Sequence, residues 1–492
     1  MPTSSNPSGS DDFRNETRPT GLIETRSIDY VPLRERKGRL TDQATIWFAG
    51  SAQLLSLATG AIGIGLGLNL VWTLVALAVG TVIGTIPVSA HATQGPHLGL
   101  PQMVQTRPQF GRYGALFIWV VAIVVYWGYI VLGGNLLGVT AEQLGWGSAQ
   151  PWAVITGLAC VVLAVFGYHW LHVAQRVITI ALVVVLVIYV IGLVVGGLIP
   201  AGAFTLSGTF DLAPFLIVVS AATSYQLSWA FFVSDYSRYM PPDTPRRAIV
   251  AWTSAGLFFG VFSFEAVGAV CAAMLPADGI IPGLATTGDL VFKPLGATML
   301  ITGGLGLLGL MAMCVYGGSL TLITALDSVR PVTPTRRIRV VTILLVGVTA
   351  TVAGALLPAD FLNTSFATIL AVLAYLMAPW TAINLTDFFL VRRGRYSVTE
   401  MFKPDGIYGT WNLRGIAAYA VTFVVMIPFM NLSFFQGPIA AAMGGIDVAF
   451  FVGIPVGGAI YWLLCRNLNL DREHAVIEQS DGDLEARAEA II

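Results

Sequence analysis

Twelve apolar runs, separated by short polar gaps, cover most of this chain; they lie at about 43–66, 69–91, 114–139, 152–168, 177–199, 213–233, 247–275, 295–325, 340–357, 366–390, 414–433 and 446–465. A helix needs about 20 apolar residues to cross the hydrocarbon of a bilayer. The runs are continuous rather than alternating, which selects helices over a membrane barrel. The pattern predicts an all-α membrane protein of about 12 transmembrane helices. Residues 1–38 read as a largely disordered N-terminal tail, 39–466 as one transmembrane domain, and 467–492 as a polar C-terminal tail.

The charges support the count. Arg34 to Arg39, Arg107 and Arg112, Arg176, Arg238 to Arg247, Arg330 to Arg339 and Arg392 to Arg414 fall in alternate gaps. Of the 26 Lys and Arg, only Lys293 falls in an outward gap. Basic residues in short loops stay on the cytoplasmic side. This orientation puts both termini in the cytoplasm of a plasma (inner) membrane protein. The chain is 55% hydrophobic and 11% charged, against about 25% charged in a soluble domain.

The same features exclude other classes. No basic patch with interleaved aromatics points to nucleic acid. No obligate protein partner is evident; lipid is the expected surround. Cys160, Cys271, Cys314 and Cys465 have neither paired spacing nor ligand spacing with histidine, which argues against disulfides and cofactor binding. No H-E-x-x-H, no G-x-S-x-G with partners and no acidic metal cluster is present, so an enzyme is not expected.

Two runs differ from plain anchors. The first reads W-F-A-G-S-A-Q-L-L-S around Gly50, and the sixth carries a polar-aromatic stretch from Ser220 to Tyr239. They stand five helices apart. That is the placement of broken helices opening two inverted five-helix repeats, where backbone dipoles face a ligand at the midplane. Close helix packing is the competing reading for the glycines of the first run. Glu265 stands alone inside the seventh run. An intramembrane carboxylate marks either a proton site or a neutral interhelical hydrogen bond.

Three stretches carry a resemblance: Q-G-P-H-L-G-L-P-Q-M-V-Q-T-R-P-Q-F-G-R-Y-G from Gln94, W-A-F-F-V-S-D-Y-S-R-Y-M-P-P-D-T from Trp229, and Y-G-G-S-L from Tyr316. Together they resemble the nucleobase:cation symporter-1 family, in its purine–cytosine permease branch. The resemblance implies a LeuT-type fold of ten core helices in a 5+5 inverted repeat, plus two C-terminal helices. It implies import of a nucleobase or related heterocycle by symport with H+ or Na+. A thiamine-like ring, a hydantoin or allantoin, or an amino acid is the alternative solute.

The resemblance places a base-stacking tryptophan at Trp229. Gln226, Gln53 and Ser51 are candidate partners for the ring edge, each with an interhelical hydrogen bond as the alternative. In the third run Trp127 and Tyr129 are candidates. In the eighth, Tyr316 and Cys314 are; Cys314 and Ser51 stand where relatives carry asparagine, which leaves the substrate open. Asp235 and Arg238 read as gate or structural residues. Glu265 is the candidate for a coupling proton. A sodium ion would lie near Gly50, Ser319 and Thr321.

Overall fold

The computed structural model describes residues 26–200, 202–205, 210–276, 279–333, 335–357, 361–482 and 484–489. The first half contains α1 (Leu40–Ser51), α2 (Leu54–Gly65), α3 (Leu70–Ala92), short α4 (Gln94–Leu98) and α5 (Arg107–Phe110), α6 (Ala115–Gln143), α7 (Ala149–Phe166) and α8 (Tyr168–Val195). The second contains α9 (Leu212–Leu227), α10 (Val233–Ser237), α11 (Arg246–Met274), α12 (Ile280–Val291), α13 (Leu295–Val329), α14 (Arg336–Leu356) and α15 (Phe361–Thr386). Then follow α16 (Val398–Phe402), α17 (Leu413–Met426), α18 (Pro438–Ala442), α19 (Ala449–Cys465), α20 (Leu470–Ser480) and α21 (Leu484–Glu489).

Among the described residues, eight single helices are long and apolar enough to cross a membrane, and α1 with α2 forms a further span bent by 63°. Helices α15, α17 and α19 account for the other three of the twelve apolar runs. Helix α12 is an addition: it lies in an outward gap that the sequence reading left without structure. The fourth and fifth runs are also redrawn. Gly167, at φ 81°, ends α7, and α8 begins at Tyr168 rather than near 177.

The packing repeats itself. The first span packs on α11 as α3 packs on α9; α6 packs on α14 as α13 packs on α7; α8 packs on α13 as α15 packs on α6. Exchanging spans one to five with spans six to ten maps each pair onto its counterpart. This is the contact pattern of a 5+5 repeat, each half opening with a broken helix.

Glycines set the closest approaches. A Cβ on Gly60 of α2 would lie 1.9 Å from the Glu265 carbonyl oxygen, and one on Gly268 of α11 would lie 2.2 Å from that of Leu57. Between α3 and α9 the contact runs through Gly80 and Gly84, where a Cβ would meet Val219 O at 2.5 Å and Gln226 Cβ at 2.6 Å. Small residues four apart let helix backbones meet where the hydrophobic effect supplies no drive. So most glycines of the first span pack helices, as the competing reading held. The break itself falls at Ala52–Gln53.

The basic face is closed by loops. Arg107 donates to Asp327 Oδ2 at 2.8 Å and to the carbonyls of Met401 and Thr324 at 2.9 and 3.1 Å. Arg112 reaches the Ser328 carbonyl at 2.8 Å. Both guanidinium groups therefore satisfy the last carbonyls of α13 and oppose its negative end. Asp387 is buried and accepts from Gln109, Arg392, Tyr396 and Tyr461 at 2.6–3.0 Å. It is a fully bonded hub rather than a snorkelling end group.

Much of the expected N-terminal tail, residues 1–25, lies outside the described residues. Residues 26–36 are packed: Ile28, Val31 and Arg36 are buried, and Arg36 donates to Pro96 O at 2.8 Å. The C-terminal stretch forms α20 and α21, with Glu473 on Arg392 and Glu485 on Leu33 N–H.

Gly60→Val should overpack the α2–α11 contact, at a cost of about 1–3 kcal/mol, lowering the thermal midpoint of purified protein. Gly65→Ala, where a Cβ would meet nothing within 4 Å, should leave it within error. Equal midpoints for the two variants would refute this packing.

Candidate functional site

Both broken spans point into one region. At the first break, Ala52 N–H still reaches Phe48 O, and Gln53 starts α2 by accepting Leu55 N–H on its side-chain oxygen at 2.6 Å. At the second, α9 runs into a tight turn at Ser228–Phe231 before α10 resumes. Trp229 lies in that turn, 1% exposed.

Trp229 sits among aromatic rings from three helices and the turn before α10. Its ring lies 6.3 Å from Tyr129 of α6, nearly parallel at 23°. Trp47 of α1 meets it edge-on at 5.9 Å, Tyr225 of α9 at 6.3 Å, and Phe232 at 5.7 Å. Tyr126 packs on Phe232 at 5.4 Å and donates to the Phe231 carbonyl at 3.2 Å. Cys314 of α13 is fully buried. The Trp229 indole N–H is buried and has no acceptor among the described residues.

The expected residues are only partly gathered. Tyr129 faces Trp229 and its hydroxyl bonds Ser228 Oγ at 2.6 Å. Trp127, two positions away and so on another helix face, is half-buried and makes no ring contact with the cluster among the described residues. Gln53 is already engaged, with its oxygen capping α2 and its nitrogen on the Tyr225 hydroxyl. Ser51 is buried with a bare hydroxyl and faces Gly260 of α11. Tyr316 lies toward the basic face, where its hydroxyl takes a bond from Arg238 at 3.3 Å.

Gln226 turns toward α3. Its Nε2 donates to Thr85 Oγ1 at 2.7 Å, while its Oε1 is buried without a donor. Glu265 is fully buried; Thr81 Oγ1 donates to its Oε2 at 2.9 Å and its Oε1 has no partner. No cation faces it among the described residues. An ionised carboxylate held this way would be a buried, unpaired charge, which is costly. A proton or another cation must therefore neutralise it.

Asp235 and Arg238 both bond to backbone groups of other segments. Asp235 accepts the Gln102 N–H at 2.8 Å, and the Gln102 side chain accepts Ser234 N–H at 3.3 Å. Thus the D-Y-S-R-Y and G-L-P-Q-M stretches lock onto each other. Arg238 donates to Ser27 O at 2.6 Å.

The residues named for a sodium ion lie at different levels along α13. Ser319 and Thr321 donate to Tyr316 O and Gly317 O of their own helix at 2.9 Å. Gly50 faces Met313 instead. What α13 presents to the Ala49 and Ala52 carbonyls is Gly306, whose absent Cβ would lie 3.2 and 2.6 Å from them. Thirteen residues separate Gly306 from Ser319, about 20 Å along a helix. The physical reason is register: the two hydroxyls lie several turns from the break.

Trp47, Tyr126, Tyr225, Thr81 and Thr85 were not singled out from the sequence. Trp47 and Tyr225 stand inside the two stretches that were quoted, but isolated polar residues drew the reading toward amides. The threonines carried no signal, since Thr is common in spans.

Comparisons with known proteins agree with the fold. Over 88–96% of the chain, two solved structures share the fold. Mhp1, a nucleobase-cation-symport-1 family transporter in a closed conformation with bromovinylhydantoin bound, aligns over 96% of this chain and 100% of its own, with TM-score 0.74 at 19% identity. A Na+-coupled sialic acid symporter aligns over 88% and 90%, with TM-score 0.59 at 11% identity. YxlA of Bacillus subtilis, named as a candidate purine-cytosine permease, is 33% identical over 90% of this chain and 96% of its own. The purine-cytosine permease fcyB of Emericella nidulans is 25% identical over 90% and 88%. A family model described as permease for cytosine/purines, uracil, thiamine, allantoin matches residues 30–453, and with this coverage the chain belongs to that family of permeases.

Proposed function

We propose that the protein imports a nucleobase, a purine or a pyrimidine, by proton symport, binding the ring between Trp229 and Tyr129. The observation that carries this is the near-parallel pair of rings at a helix break, 6.3 Å apart. A planar ring between two others needs roughly 7 Å, two carbon contact distances, so a small outward shift of either ring admits one. The bare indole N–H of Trp229 and the bare Oε1 of Gln226 offer a donor and an acceptor to a heterocycle edge. Leaving either unpaired in a dry site costs about 1–3 kcal/mol, which favours rings that satisfy both. Gln53 and Ser56 act indirectly, by holding the Tyr225 hydroxyl.

Glu265 is the proton site in this reading. The bare α13 glycine opposite the first break favours a proton over sodium. Protonation from outside neutralises the carboxyl and stabilises the substrate-binding state. By linkage, substrate then raises proton affinity by the same factor. The basic face is the cytoplasmic one by the positive-inside rule. Coupling of closure to the D-Y-S-R-Y lock gives alternating access.

Labelled hypoxanthine supplied under an inward proton gradient, to cells lacking base permeases, should accumulate and collapse with a protonophore. Unlabelled bases should compete, while thiamine, hydantoin and amino acids should not. Accumulation driven by sodium at constant pH would replace the proton assignment, and competition by thiamine or hydantoin alone would replace the substrate.

Glu265→Gln should abolish proton-driven accumulation while leaving substrate exchange across the membrane within a few-fold. Equal loss of both, in protein that reaches the membrane, would make Glu265 structural.

A further inference from the structure

The Gln226 amide is held in one orientation by a neighbour outside the aromatic cluster. Thr85 Oγ1 lies 2.7 Å from the Thr81 carbonyl oxygen. A carbonyl cannot donate, so the single hydroxyl proton of Thr85 is committed to that bond. Toward Gln226 the hydroxyl can then only accept. The amide atom facing it, 2.7 Å away, must be the nitrogen. The oxygen is turned away from α3, buried and without a donor.

Nothing close by lets the amide turn over. Gly84 presses on Gln226 from α3, where even a Cβ would lie 2.6 Å from the Gln226 Cβ. Thr223 of the preceding turn bonds Gly80 O at 3.0 Å, tying the same stretch of α9 to α3. Flipping the amide would set its oxygen against a hydroxyl that has no proton to give. Two acceptors would then face each other in a dry site.

We propose that Thr85 is a positioning residue for specificity: it fixes Gln226 as an acceptor, so that the transported ring must present an N–H to it. The inference rests on the nucleobase reading and deepens it. It names the chemical feature selected, a ring N–H donor, rather than a particular base. Thr85 itself does not touch the substrate. Its hydroxyl acts through the Gln226 amide, and its own anchor, Thr81, donates to Glu265 at 2.9 Å. One turn of α3 therefore carries both the orientation of the substrate amide and the hydroxyl on the proton site.

The test is competition for labelled hypoxanthine uptake by hypoxanthine and its 1-, 7- and 9-methyl derivatives, in cells expressing the full chain. In the wild type, methylation at one nitrogen should weaken competition about ten-fold, the range for leaving one buried acceptor unpaired; that position is the N–H read. Thr85→Val removes the accepting oxygen and frees the amide to turn, so the ratio should fall below about three-fold. Thr85→Ser keeps the hydroxyl and should restore it. Gln226→Leu should also lose the ratio and provides a second readout if Thr85→Val fails to reach the membrane. A Thr85→Val transporter that keeps the full ratio overturns the proposal. So does a wild type that transports hypoxanthine but is indifferent to methylation everywhere, which leaves the nucleobase reading standing. A wild type that takes up no base in any form fails that reading, and this inference with it.

Discussion

Inside a bilayer no water is available to a bare peptide group, so every backbone N–H and C=O must find a partner in the protein. This constraint organises the molecule. It is met trivially in the ten unbroken spans and only with help at the two breaks. At the first, Ser56 Oγ donates to Ser51 O at 2.9 Å, and the Gln53 side chain takes the Leu55 N–H. At the second, Tyr126 donates to Phe231 O and Ser228 Oγ donates to Tyr225 O at 2.7 Å. At each break, freed backbone groups are answered by side chains that the break itself brings close. The site is therefore located where backbone satisfaction depends on side chains, and its polar residues have structural duties before they have chemical ones.

The constraint also explains which polar atoms are left over. Gln53 has a role at both ends of its amide and holds Tyr225 in place. The groups that remain bare near the second break, Gln226 Oε1 and Trp229 Nε1, belong to residues whose backbone lies in or just before it. A buried polar atom without a partner is unusual in a folded protein. In the proposed reading, a planar ligand with polar edges is the partner that removes the penalty.

Much of this was legible in the sequence, and the reasons differ by level. Span number and repeat were readable because hydropathy and charge alternate over twenty-residue lengths, well above the noise of single residues. The family was readable from the motif stretches, two of which form one contact: Gln102 and Asp235 meet at the basic face. Of the candidate ring contacts, the structure brings Trp229 and Tyr129 together, whereas Trp127 lies on another face by a rotation of two residues. The fate of Gln53 could not be read, since an N-cap and a ligand contact use the same side chain type. The bonds of Ser319 and Thr321 to their own helix could not be read either, since hydropathy does not say where a hydroxyl points.

Coupling follows from the way α3 is shared. Glu265 on α11 and Gln226 on α9 do not touch; each is bonded to a threonine of α3, four residues apart. Helices α9 and α11 belong to the second repeat, and α3 to the first. In a repeat fold, access alternates as one set of helices moves against the other. A carboxyl that is neutral can remain buried against α3, whereas one that is charged must find a counter-ion or water. The same movement that would expose Glu265 would also part Gln226 from Thr85. In the proposed reading, proton release and substrate release are then consequences of a single separation at the α3 contact, and no relay of protons between the two residues is needed.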